Sequence, residues 1–211
     1  LLDIFTTTTF LSPLEFRKKH NLSNKPIIAL LPGSREAEIK ENLNIIQSIS
    51  VNYTDYQFVV AGMSHFTSEF YSKFITDNSI KVIFSDTYNL VKNSVAAIVV
   101  SGTATLETAL LSVPQVIVYQ TNKLTYIVGK LVLKLPYIGL PNIIMGKHIV
   151  KELIQHDLNS QTLSLELNNL LYNDDYIAEI KKNYTILHEL LGKQGAFEKL
   201  AYKIFNYLQK K

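Results

Sequence analysis

The sequence predicts an α/β fold, a Rossmann-like parallel sheet with helices on both faces followed by a helical C-terminal tail. Three observations predict it. Short β-branched runs recur along the chain, each is closed by a turn residue and followed by a segment with helical spacing, and after about residue 149 this alternation gives way to helical segments alone.

Residues 1–24 read as a lead-in from an interdomain segment, because Pro13 and the polar stretch 21–25 interrupt any sustained period. Strands are expected at 27–31, 57–61, 80–84, 96–100 and 115–119, with a weaker one at 143–144. Helices are expected between them at 36–50, 66–77, 88–93, 103–111 and 123–134. The sheet domain then spans 25–156. Residues 157–211 form C-terminal helices packing on it, with helical spacing at 150–156, 161–171 and 174–191 and an amphipathic stretch at 196–208.

Composition narrows the function classes. A chain of 211 residues with 47% apolar and 18% charged side chains buries a substantial core, which excludes disordered and fibrous classes. The absence of Cys excludes disulfides, thiolate metal sites and cysteine nucleophiles and suits a reducing, cytoplasmic compartment. A net charge of +3, with short and scattered basic clusters, argues against a nucleic-acid partner. No apolar run reaches the roughly 18–20 residues of a spanning helix. The chain opens Leu1-Leu2-Asp3 without Met, as a fragment of a longer protein would.

In an open parallel sheet, ligands bind beyond the carboxyl ends of the strands, so the loops there carry the chemistry. The first strand runs into Pro32-Gly33-Ser34-Arg35 and then a helix. Gly33 permits a positive φ, Ser34 is a good N-cap, and free helix N–H groups make an anion site for which phosphate is the natural guest. Only two of the 21 basic residues are arginines, Arg17 and Arg35, so a bidentate guanidinium stands at this loop. The alternative is a capped turn in which Arg35 pairs with Glu38 or Glu41.

The fourth strand ends in Ser101-Gly102-Thr103 and opens a second helix, on which Thr103 and Glu107 stand four apart on one side. The Glu107 carboxylate there can accept two hydrogen bonds from a vicinal diol such as ribose, or simply be solvated. Asn142 follows Pro141, and its amide either reaches a ligand or fixes the turn. Nothing favours other chemistries: there is no GxSxG, HExxH or GxxxxGK[ST] pattern, the five His are dispersed, and no Asp-x-Asp supports a metal beside a diphosphate. Segment 123–134 carries apolar residues interleaved with lysines and can lie on an anionic membrane surface or pack on the sheet.

Three motifs, LLPGSR at 30–35, SGTATLE at 101–107 and LPNIIMGKHIVKELIQ at 140–155, occur in this order, and the stretch 114–131 between the last two is also similar. Through them the sequence resembles the lipid-A-disaccharide synthase family, glycosyltransferases of the GT-B fold with two Rossmann-like halves. The resemblance covers 25–156 closely and the tail loosely, and it implies that this chain is the donor-binding C-terminal half. The reaction it implies is inverting and needs neither a metal nor a cofactor. The hydroxyl of 2,3-diacylglucosamine 1-phosphate attacks the anomeric carbon of UDP-2,3-diacylglucosamine, giving a β-1,6 disaccharide and UDP.

Carried over residue by residue, the resemblance assigns the diphosphate to Gly33, Ser34 and Arg35 on one side and to Ser101, Gly102 and Thr103 on the other. Arg35 would stabilise the leaving group, Glu107 would hold the ribose, and Asn142 and Gln155 would line the donor sugar or support its pocket. Gln120 departs from the family, where a basic residue often follows the tyrosine. The catalytic base would belong to the N-terminal half, so this half alone is expected to be inactive. Acylated substrates imply a peripheral position on the inner face of the bacterial inner membrane. Two other readings stay open: another GT-B UDP-sugar transferase or a UDP-sugar epimerase, and a non-catalytic nucleotide-binding or membrane-interaction module.

Overall fold

A computed structural model of the chain describes residues 5, 8–120, 136–192, 195, 202 and 205–207. Six parallel strands, β1 (Ile27–Leu31), β2 (Gln57–Gly62), β3 (Lys81–Phe84), β4 (Ala96–Val100), β5 (Gln115–Tyr119) and β6 (Glu152–Ile154), form one sheet in the order β3-β2-β1-β4-β5-β6. Every residue of β1 and of β4 is buried. Successive side chains point to opposite faces, so Ile28, Leu30, Ile98 and Val100 enter one core while Ile27, Ala29, Ala97 and Val99 enter the other. A fully buried side chain of the Ile or Leu kind is worth about 1.5–3 kcal/mol, so this two-sided burial makes the central strands the main source of stability.

The helices are α1 (Pro13–His20), α2 (Glu36–Ser50), α3 (Ser68–Ser72), α4 (Thr87–Lys92), α5 (Thr103–Leu110), α6 (Leu140–Met145), α7 (Ser160–Tyr172) and α8 (Asp174–Leu191). Helix α2 packs Ile39, Leu43 and Ile46 into the first core, and α7 and α8 bring Leu163, Leu167, Ile180, Tyr184 and Leu187 to the same face. Tyr184 lies wholly buried, and Gln115 Nε2 in β5 donates to its hydroxyl at 3.1 Å. The second core is closed by Phe16, Leu90 and Val91. No described helix is long and apolar enough to cross a membrane.

Four expectations from the sequence need correction. The lead-in contains a helix: Pro13 sits in the first turn of α1, where its missing N–H costs nothing, Ser12 and Glu15 cap the start, and Asn21 ends it with a φ of 50°. The expected 66–77 helix shrinks to α3, because the Gln47 side chain takes the backbone amides of Thr76 at 2.6 Å and Asp77 at 3.3 Å outside any helix. Residues 143–144 lie in α6 rather than a strand, since Pro141 starts that helix and Gly146, with a φ of 64°, stops it. The segment 150–156, helical by spacing, instead supplies β6, paired to β5 with Leu153 opposite Val118, followed by a single 3₁₀ turn at Gln155–Asp157. The expected helix at 123–134 and most of 196–208 fall outside the described residues.

One buried acid on α7 gives a stability prediction. Glu166 is 6% exposed, and burial pushes its carboxyl above the ordinary range although Tyr176 donates to it at 2.7 Å. The folded state then holds the proton more tightly than the unfolded chain, so this group subtracts stability as pH rises from the unfolded carboxylate range through the raised folded value. Glu166→Gln keeps a neutral acceptor for Tyr176. Its unfolding free energy relative to wild type should therefore climb as pH rises from about 4 toward neutrality, measured by urea titration. A constant difference across that interval would contradict the assignment.

Candidate functional site

The carboxyl ends of β1, β2, β3 and β4 surround a crevice of about 700 Å³, within the usual size of small-molecule sites. Six of its linings come from the two turns singled out in the sequence: Gly33, Ser34 and Arg35 after β1, and Ser101, Gly102 and Thr103 after β4. Glu107 joins them in the wall. The strand order brings this about, because β1 and β4 are adjacent and Leu31 pairs with Val99.

In the first turn Gly33 adopts a φ of 109°, a region that side chains other than glycine's rarely enter. The donors of this turn converge on one anion, the Glu38 carboxylate. Its Oε2 accepts from the backbone amides of Ser34 at 3.3 Å and Arg35 at 3.4 Å, and its Oε1 accepts from Arg35 Nη1 at 3.0 Å. The capped-turn alternative is thus present in the geometry. The N-cap position of α2 falls to Arg35 rather than Ser34, since the Glu38 carboxylate, three residues into the helix, already takes the free amides. Arg35 nevertheless keeps 81% of its side chain exposed. An exposed ion pair of this kind is worth about 0–1 kcal/mol, so the guanidinium can be redirected to another anion at little cost.

In the second turn the Ser101 hydroxyl donates to the Ile138 carbonyl at 2.8 Å, Gly102 has open space where a Cβ would stand, and Thr103 is exposed at the first turn of α5. The Thr105 amide turns back to the Gly102 carbonyl at 3.2 Å, while the amides of Thr103 and Ala104 have no carbonyl one turn earlier to bond, which leaves donors beside the crevice. Tyr88 from α4 donates to Glu107 Oε1 at 3.1 Å, so the carboxylate stands at the wall with one oxygen already engaged.

The remaining wall was not singled out in the sequence. Ser85 and Asp86 enter from the loop after β3, with Ser85 at a φ of 57°, and Thr87, Tyr88 and Asn89 from the start of α4. Asp86 ties this loop to α1: its Oδ2 accepts from Lys19 Nζ and from His20 Nε2, each at 2.7 Å, and Asn89 takes the Leu11 amide at 2.8 Å. Burial alone would raise the Asp86 carboxyl, but hydrogen bonds from Lys19, His20 and Asn89 outweigh it and hold the carboxyl below its ordinary range. A Ser-Asp-Thr turn at the carboxyl end of a predicted strand was the available signal, by the rule that directed attention to the other two loops.

A family model described as lipid-A-disaccharide synthetase matches residues 7–205. The chain belongs to the lipid-A-disaccharide synthase family. It is 33% identical over 212 residues to the lipid-A-disaccharide synthase of Sulfurihydrogenibium sp. (strain YO3AOP1), covering 92% of this chain and 55% of that protein. It is 34% identical over 206 residues to the Coxiella burnetii (strain CbuG_Q212) enzyme of the same name, covering 95% and 54%. The chain therefore spans about half the length of the curated relatives it matches. Among solved structures, the S. aureus MnaA–UDP co-structure aligns with a TM-score of 0.60 at 18% identity, over 99% of this chain and 53% of that one. The E. coli ADP-heptose lps heptosyltransferase II aligns with a TM-score of 0.52 at 15% identity, over 77% and 52%. These likenesses establish the fold, the Rossmann-like sheet of a GT-B half.

Of the three lipid-A-disaccharide synthase motifs, two meet at the crevice and the third does not. Asn142 is fully buried and spends its amide inside the protein. Its Nδ2 donates to the Val150 carbonyl at 2.9 Å and to Glu152 Oε1 at 2.7 Å, while its Oδ1 accepts from the amides of Ile149 at 2.7 Å and Val150 at 3.1 Å. These bonds are those of the turn-fixing option weighed from the sequence, with Asn142 bracing residues 149–152 against α6. Gln155 follows β6 in the 3₁₀ turn with a φ of 52°, outside the walls of the crevice, and its buried Nε2 has no partner among the described residues. Gln120, just past the end of β5, likewise has a buried Oε1 with no partner among the described residues.

Proposed function

We propose that this chain is the donor-binding half of a lipid-A-disaccharide synthase, an inverting hexosyltransferase that needs no metal. Its donor is UDP-2,3-diacylglucosamine and its acceptor is 2,3-diacylglucosamine 1-phosphate. One observation carries the reading: the family's two glycine turns, one bearing an exposed guanidinium, converge on a single crevice at the carboxyl ends of adjacent strands. The amides of Ser34 and Arg35 and the Arg35 guanidinium already bind a carboxylate, so their geometry suits negative charge. A diphosphate entering there displaces or shares those donors and meets the start of α5 at Gly102 and Thr103 on the opposite side, with Ser101 beside them.

In the reaction the acceptor hydroxyl forms the new bond to the anomeric carbon as the bond to the UDP oxygen breaks. The hydroxyl proton passes to a base on the N-terminal half of the enzyme. Arg35 and the helix N-termini stabilise the negative charge that collects on the departing diphosphate. Glu107 accepts from the ribose hydroxyls. Gln155 remains the candidate for the donor sugar, because its amide nitrogen has no partner among the described residues and can gain a hydrogen bond there. Both substrates carry acyl chains, which places the working enzyme peripherally at the inner face of the inner membrane.

Titration calorimetry with UDP tests the reading. The wild-type chain should bind, and Arg35→Ala should weaken binding about tenfold or more, the worth of one hydrogen-bonded charge on a phosphate. The exposed side chain leaves the thermal midpoint unchanged. A folded wild-type chain that gives no heat with UDP would overturn the donor-site assignment. Disaccharide formation should require the N-terminal half to be supplied, and turnover by this chain alone would show that the two halves divide the labour otherwise.

A further inference from the structure

The hydrogen bond between Tyr88 and Glu107 joins two walls of the crevice that come from different parts of the chain, α4 and α5. The tyrosine ring is itself held, packed edge-on against Phe5 with centroids 5.0 Å apart and seated against the core that contains Leu90 and Val91. A glutamate side chain at a crevice wall has three rotatable bonds, and a carboxylate can take both hydroxyls of a vicinal diol only when it stands in one orientation. An anchored O–H donor at 3.1 Å removes that freedom before any ligand arrives. It occupies one lone pair of Oε1 and leaves the other, with both of Oε2, to accept.

We propose that Tyr88 is a positioning residue: it holds Glu107 in the orientation that receives the ribose diol and so sets the preference of the site for ribonucleotides. This rests on the reading of Glu107 as the ribose acceptor. Burial, with the Glu107 charge and hydrogen bond, raises the Tyr88 phenol above its ordinary range, so it stays a donor throughout the working pH range. No local pattern marks Tyr88 for this role, because the partner lies nineteen residues away on another helix.

The test titrates UDP and 2′,3′-dideoxy-UDP, which lacks both hydroxyls, into the wild-type chain, Tyr88→Phe and Glu107→Ala. Phenylalanine keeps the ring packing and removes only the donor. Wild type should prefer UDP, and Glu107→Ala should abolish the preference. Tyr88→Phe should weaken UDP about fivefold, the cost of ordering one free side chain, while leaving 2′,3′-dideoxy-UDP unchanged. A purely structural role would weaken both nucleotides equally, and that result overturns the proposal. If Glu107→Ala abolishes the preference but Tyr88→Phe retains it in full, the proposal fails and the ribose reading stands. If wild type has no preference, or Glu107→Ala retains it, the ribose reading falls and takes the proposal with it.

Discussion

Asn142→Ala should lower the unfolding free energy by about 3–5 kcal/mol in a urea titration, placing it among the most damaging single changes the chain can suffer. The side chain is fully buried and satisfies four groups at once: the amides of Ile149 and Val150, the Val150 carbonyl and Glu152 Oε1. Alanine leaves them in a space that water cannot readily reach, and each unsatisfied buried group costs about 1–3 kcal/mol. Only Glu152 has further help, since its carboxylate also accepts from the amides of Ile138 and Gly139, both at 3.0 Å. Asn142→Asp sharpens the test. It keeps an acceptor for the two amides but turns an oxygen toward Glu152 where a donor now sits at 2.7 Å, so it should also destabilise strongly. A loss below about 1 kcal/mol for alanine would mean that the brace is redundant.

Gly33→Ala should damage both stability and nucleotide binding, in contrast to Arg35→Ala, which spares stability. A φ of 109° is strained for any residue with a side chain, at about 1–3 kcal/mol. A methyl group at that position would also stand 2.7 Å from Glu38 Oε2 and 2.9 Å from Glu38 Cβ. The carboxylate can swing away, but the Cβ is fixed to α2, so the turn itself must move. Moving it separates the Ser34 and Arg35 amides from the place where they converge. We expect a lower urea midpoint and UDP affinity reduced about tenfold or more by calorimetry. Unchanged UDP binding in a destabilised variant would remove the first turn from the binding machinery.

The strands β1 to β5 were legible because each is a run of apolar or β-branched residues closed by a turn, a pattern that burial on both faces demands. The errors cluster where tertiary pairing overrides local spacing. Residues 150–156 have helical periodicity, yet the open edge of β5 recruits Glu152–Ile154 as a strand. Ile143 and Ile144 read as β-branched strand residues, yet Pro141 and Gly146 bound a single helical segment around them. At the candidate site the two glycine turns were legible from sequence, because positive φ and free helix amides have chemical signatures. Asn142 was ambiguous, since its partners come from residues seven to ten positions further along that only the fold brings close. Asp86 was marked only by its place in a turn after a predicted strand, and Tyr88 by nothing local, because its contact with Glu107 exists only through the fold.

The strand order also has a consequence for biosynthesis. A chain emerging from the ribosome can zip β1, β2 and β3 into one wing, but the opposite edge of β1 stays open until Ala96–Val100 has been translated. The second wing then grows outward from that join through β5 to β6. The Gly33 turn belongs to the earliest strand of this sheet and the Gly102 turn to the strand that completes the seam. The crevice is thus complete only once the sheet has zippered, and a nascent chain stalled before residue 96 would carry only part of its wall and an unpaired edge open to aggregation.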